Sequence, residues 1–372
     1  MSDRTGHQSQ GPRIPLNTLA ISFGVTGLAV LWSTVAADLG WTPYISAALW
    51  LVAAVVWVWL IAAHVRRGLH SSDTLAGQLR HPAQGPIAAI VPAVGMLLGA
   101  ELSLVAPVAG AVLTLVSLVA AAAFAGWILA HWHRGRLSPE AFHGAYLLPT
   151  VAGAFIASIA TARLGLHGIA FASFAVGLFF WVVIVTVLLA RLAFFPPLPD
   201  ALTPTLAILV APPAVGGTAW FAMNGVHDDP VSTALLGLLV LMLVVQLFLL
   251  GTYRRLSFTL GFWSFTFPAS SAASYGIQWL RLADFSGWQA VAVALAAAST
   301  ALTLGIAIRS LVLVTSVRRG ARRAEQSLRR ADDAVTRPLA VHLPPRRGDS
   351  HDRLADRAVD VDGRADRGDA AH

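Results

Sequence analysis

Apolar residues run through this chain in long blocks, separated by short stretches that carry its polar and charged residues. A bilayer-spanning helix needs roughly 20 mostly apolar residues. Ten blocks meet that length, at about 14–37, 43–64, 85–106, 108–131, 146–163, 167–190, 204–223, 231–250, 257–280 and 287–316. The pattern predicts an all-α, polytopic membrane protein with ten transmembrane helices. The first block follows polar residues that include Arg4 and Arg13, and its apolar stretch is longer than a secretory signal core. It is read as a retained helix.

The connecting stretches give an orientation. Taking the N-terminus as cytoplasmic, the inner loops hold Arg66, Arg67, Arg80, Arg134, Arg136, Arg191, Arg254 and Arg255, and the C-terminal tail opens with Arg318 and Arg319. The outer loops hold Asp38, Glu101, Asp228, Asp229 and Asp284, with only Arg163 and Arg281 as bases. This asymmetry follows the positive-inside rule and places both termini in the cytoplasm of a bacterial-type cell, with the spans in its inner membrane. Three regions follow: a cytoplasmic segment 1–13, a ten-helix transport domain 14–316, and a charged cytoplasmic tail 317–372. That tail alternates arginine with aspartate and is expected to form a short helix that frays into disorder.

A second pattern lies within the spans. The odd-numbered blocks carry prolines: Pro92 in the third, Pro149 in the fifth, Pro212 and Pro213 in the seventh, Pro268 in the ninth. The first has Gly24 and Gly27 instead, and the second, fourth, sixth and eighth have no interior proline. Gly24, Pro92, Pro149, Pro212 and Pro268 recur at a near-regular spacing, which suggests one helical hairpin repeated five times. Interior proline breaks the backbone hydrogen-bond ladder. In lipid such a break is tolerated where protein or a watered cavity satisfies the freed groups. The economical arrangement is an inner ring of odd helices around a pathway, with the even helices outside. Thr26, Thr150, Thr218 and Ser271 stand near the breaks as candidate pore hydroxyls. Small and hydroxyl residues also gather at membrane helix contacts for packing alone.

Composition narrows the chemistry. The chain is 56% hydrophobic and 12% charged, about half the charge of a soluble domain, and a soluble fold this apolar would aggregate. It has no cysteine, which removes disulfides, thiolate metal sites, iron–sulfur clusters and cysteine nucleophiles. The net charge of +7 resides in loops and tail, as topology requires, and nucleic acid is not expected as a partner. Ionisable residues are nearly absent from the spans, although proton and cation pathways usually need them. A neutral path with a basic inner mouth suits anions. His64, His131 and His133 lie at helix ends rather than inside spans, where haem ligands would be expected, so a haem-linked membrane enzyme is disfavoured. No catalytic motif, metal site or cofactor is expected. His227-Asp228-Asp229 reads as a solvated turn and Glu101 as an interfacial acid paired with a neighbour.

The run Gly261-Phe262-Trp263-Ser264-Phe265-Thr266-Phe267-Pro268 resembles the signature of the tellurite-resistance/dicarboxylate transporter family, which includes bacterial TehA, the fungal malate permeases and the slow-type anion channels of plant guard cells. His81-Pro82 with Ile90-Val91-Pro92 and Leu97-Leu98-Gly99, then Tyr146-Leu147-Leu148-Pro149, Leu209-Val210-Ala211-Pro212 and Phe23-Gly24 resemble its third, fifth, seventh and first helices. The resemblance covers roughly residues 14–316. It implies five helical hairpins around a central pore, a homotrimer, and a phenylalanine in the ninth helix that plugs the pore. Aligned on the motif that residue is Phe267, ahead of Phe265 and Phe262. The first helix lacks the proline of some relatives, and proline after Phe267 is closer to the plant and fungal pattern. The expected activity is transport of small anions (chloride, nitrate, or dicarboxylate and sulfite) through a neutral, phenylalanine-gated pore. The alternative is a secondary carrier of malate, sulfite or tellurite-related oxyanions.

Overall fold

The computed structural model describes residues 12–135 and 137–336. The segment 1–11 and the tail from 337 onward lie outside the described residues, so the expectations for the far N-terminus and for the end of the tail fall there too. Ten long helices succeed one another: α1 (Ala20–Leu39), α2 (Tyr44–Leu69), α3 (Ile90–Leu102), α4 (Pro107–Trp132), α5 (Gly153–Arg163), α6 (His167–Phe194), α7 (Ala211–Asn224), α8 (Pro230–Arg255), α9 (Thr266–Ala283) and α10 (Trp288–Thr336). A five-residue helix, Leu75–Leu79, sits between α2 and α3. Residues up to Val317 form one compact unit, and beyond it the described chain is the continuation of α10 to Thr336.

The odd and even helices are built differently. Every odd helix is preceded by helical turns of a different pitch: 3₁₀ at Leu16–Leu19, Gly85–Ala89, Thr203–Val210 and Leu260–Phe265, and 3₁₀ then the wider π at Gly144–Leu147 and Leu148–Ala152. The prolines explain the junctions. Pro92 and Pro268 are the third residues of α3 and α9, Pro212 the second of α7, and Pro149 the second of the π turn. In a first α-turn the missing N–H is least damaging, while the ring still prevents a regular ladder from running back into the preceding segment. The prolines therefore set where the α-helix begins rather than kinking a continuous one. The first span shows the same junction at Leu19–Ala20 without a proline there.

Even helices are uninterrupted and begin with ordinary starts. Pro107 opens α4, and Asp229 caps α8 in a reciprocal box with Ser232.

Burial divides the same two sets. In the first four odd spans, between 56% and 94% of the residues in the most apolar window are buried, against 11% to 28% in the even spans. The even helices present Leu, Val and Phe outward, which is stable only against lipid. The odd helices pack on one another in a closed ring, α1 on α3, α3 on α5, α5 on α7, α7 on α9 and α9 back on α1. The chain is thus an all-helical, multi-pass membrane protein. Among the described residues nine spans are long and apolar enough to cross a membrane by length and composition. The tenth expected span, here Leu260–Ala283, is helical throughout but more polar, with Ser264, Thr266, Ser270, Ser271, Ser274 and Gln278.

Candidate functional site

The five junctions converge on a small central cavity of about 40 Å³. Each odd span contributes to it: Ala20 and Phe23, Ile90, Leu147 and Leu148, Ala211 and Pro212, and Phe267 and Pro268 among others. It is small, with room for no more than a few waters. No charged side chain lines it, and Ser264 supplies its one side-chain hydroxyl. A space this narrow and apolar disfavours water, and hence a hydrated ion.

Two rings close it. Phe267 and Phe23 are stacked, their centroids 3.6 Å apart and their planes within 9°, and both are buried. The stack depends on glycine. A Cβ on Gly27 would lie 2.9 Å from Phe267 Cδ2 and 3.2 Å from its Cα. A Cβ on Gly24 would lie 2.2 Å from Thr266 Oγ1. Glycine at both positions lets α1 lie flush against α9. Behind the ring Trp263 Nε1 donates to Ser310 Oγ at 2.9 Å, tying the turn before α9 to α10.

The structure brings Phe267, Pro268 and Pro212 to the cavity. It places the other expected residues elsewhere. Pro92 and Pro149 set the junctions from beside Ile90 and Leu148, which do line it. Gly24 is a contact glycine, and the break assigned to it lies one turn earlier at Leu19–Ala20. Thr26 Oγ1 donates to Ser22 O at 2.8 Å and Thr218 Oγ1 to Ala214 O at 3.0 Å, so both hydroxyls bond the preceding turn of their own helix. Thr150 Oγ1 is buried without a hydrogen-bond partner among the described residues, and Ser271 is buried; neither lines the cavity. Phe23 had no role beyond its place in the first-helix resemblance. Its only sequence signal is an aromatic directly before a glycine on an odd span.

Toward the ends of the inner helices remote from the junctions two ion pairs join neighbours. Arg163 on α5 meets Glu101 on α3 at 3.6 Å, and Arg281 on α9 meets Asp38 on α1. Asp229 accepts from the Trp220 indole at 2.8 Å and from the Val231 and Ser232 N–H groups. Desolvation raises its pKa, but these hydrogen bonds outweigh it and hold the carboxyl below its usual range. That is a helix cap, and no group of metal-binding residues occurs among the described residues.

Residues 13–311 match the voltage-dependent anion channel family, SLAC1. The chain is 24% identical over 262 residues to the tellurite resistance protein TehA homolog of Haemophilus influenzae, covering 70% of this chain and 80% of that one. It is 24% identical over 316 residues to the guard cell S-type anion channel SLAC1 of Arabidopsis thaliana, and 25% identical over 279 residues to the S-type anion channel SLAH2 of the same plant. Those matches cover 81% and 72% of this chain but only 56% and 53% of the plant proteins, so it spans about half their length. With the match running through all ten helices, the chain belongs to the voltage-dependent anion channel family.

Proposed function

We propose that this protein passes small anions through the axis of the five odd helices, and that Phe267, stacked on Phe23, closes the path. The observation that carries the reading is the stack itself, at the one place where all five inner helices break. The neutral lining supports it, because a path without carboxylates does not repel anions. In alternating topology the five inner α-segments run the same way. Their N-terminal dipole ends therefore gather around the cavity and favour negative charge there. The arginine-bearing loops at that end raise the local anion concentration. We take that side as the cytoplasm and the membrane as the inner one of a bacterial-type cell. The assembly is proposed to be a homotrimer in which each copy has its own path.

The test is anion efflux from proteoliposomes, for nitrate and chloride, comparing wild type with Phe267→Ala. The variant should conduct far faster than wild type. A folded, inserted Phe267→Ala protein no faster than wild type would refute the gate. Saturable counterflow of malate or sulfite with no conductive flux would replace the pore with a carrier.

A further inference from the structure

The back of α9 faces a groove between α8 and α10, of about 770 Å³. Its walls are aliphatic, with Leu243, Leu247 and Leu250 on α8 and Leu302 and Ile306 on α10. One end differs: it holds Arg254, Arg309 and the Phe258 ring, and among the described residues no carboxylate lines the groove. Arg309 lies inside a block otherwise apolar enough to span the membrane, where an arginine is rare and usually functional. Its guanidinium carbon sits 4.7 Å over the Phe258 ring centre. Stacking leaves the in-plane N–H groups free to point outward. Among the described residues no carboxylate pairs with Arg309 or Arg254. The nearby polar groups are already engaged, since Tyr253 Oη donates to Gln246 Oε1 at 2.7 Å and Gln246 Nε2 to Leu206 O.

We propose that this groove binds one anionic phospholipid, its acyl chain against the leucines and its phosphate between Arg254 and Arg309. The dimensions agree. From Ala301 to Arg309 the wall rises by about 12 Å, close to one leaflet of a hydrocarbon core about 30 Å thick. A continuation of about 630 Å³ shares Leu243, Ala269 and Leu302 with it and runs toward Trp279 and Val291 with no charged lining. The cations therefore mark only the leaflet on the arginine-rich side, where anionic headgroups attract basic clusters. A second copy of the chain would have to bring carboxylates to the same two arginines. Lipid supplies the phosphate and the chain together. Pro268 lines both this groove and the central cavity, so the lipid lies directly behind the proposed gate. The binding itself stands whether or not Phe267 gates.

Native mass spectrometry of the delipidated protein, titrated with phosphatidylglycerol or phosphatidylcholine, tests this. Wild type should bind phosphatidylglycerol the more tightly. Arg254→Gln with Arg309→Gln should weaken that binding by about 30-fold and leave phosphatidylcholine unchanged. Arg66→Gln with Arg67→Gln, at another basic helix end, should change neither. A Cβ at Gly305, which lines the groove, meets nothing within 4 Å, so Gly305→Trp fills the space without a backbone clash and should displace the lipid with both arginines intact. Equal binding of the two lipids, or full phosphatidylglycerol binding by the double variant, overturns the proposal. So does loss of copies from the assembly on Gly305→Trp with no change in lipid, which would make the groove a contact between subunits.

Discussion

Removing the ring of Phe23 tests the closed state from the side that does not carry the family motif. In Phe23→Ala the ring of Phe267 loses a partner stacked at 3.6 Å and 9°. An aromatic pair contributes about 0.5–1.5 kcal/mol beyond the area it buries. If that term belongs to the closed state and is lost on opening, its removal shifts the equilibrium toward open by about two- to twelvefold. Anion efflux from proteoliposomes, followed with an entrapped chloride-quenched dye, reads the shift directly.

The decisive comparison is a double-mutant cycle. Under the proposed gate Phe267→Ala removes the plug altogether, so adding Phe23→Ala to it should change flux by less than about twofold. Two outcomes refute the argument. Unchanged flux in a folded Phe23→Ala protein would mean that the stack survives opening. Two effects that simply multiply would mean that the rings act independently and the contact carries no gating energy.

Three further outcomes follow from the geometry. Gly27→Ala places a Cβ 2.9 Å from Phe267 Cδ2, and overpacking of this kind costs about 1–3 kcal/mol; the thermal midpoint in detergent should fall by several degrees. Glu101→Gln leaves Arg163 without its carboxylate, so anion entry from that end of the proposed path should rise about twofold in low salt and return to the wild-type rate at high ionic strength. His143, fully buried just before the turn into α5, has its pKa pushed down to about 4 by that burial. A lowered histidine pKa means that the unfolded chain takes the proton first, so stability is full above about pH 6.5 and declines as pH falls toward 4, by about 3 kcal/mol in all. Thermal midpoints between pH 7 and 4.5 should fall more steeply for wild type than for His143→Gln, and parallel curves would refute the assignment.

The spans and their division into two rings were legible because lipid and protein interiors select different residues. A lipid-facing helix such as α8 needs only uninterrupted apolar side chains, whereas an inner helix tolerates breaks that Pro92, Pro149, Pro212 and Pro268 announce. The break in the first span was not legible in the same way. Gly24 stood where the repeat expected one, but the junction comes at Leu19–Ala20 and Gly24 serves contact with Thr266. The hydroxyls have a local use that sequence does not announce: a helical threonine can reach the carbonyl four residues back, and Thr26 and Thr218 do. Phe23 and Arg309 were hidden by distance in sequence. The stack joins the first helix to the ninth, and the groove joins the loop after α8 to the middle of α10.

The helix that carries Phe267 is also the one whose sequence is too polar to count as a span on apolarity alone. Its serines and threonines would be costly in lipid without partners. They have partners. Ser270 shares a hydrogen bond with Ser299 of α10 at 3.0 Å, Ser274 donates to Ser270 O at 2.9 Å, Thr266 to Trp263 O at 2.7 Å, and Tyr275 to Ser232 O of α8 at 2.7 Å. α9 therefore owes its place to neighbouring helices more than to the bilayer. α9 lies between the central cavity on one side, where it packs flush on α1, and the groove on the other. The polarity that obscures α9 as a membrane span is thus the mark of a helix whose polar groups are met by its neighbours.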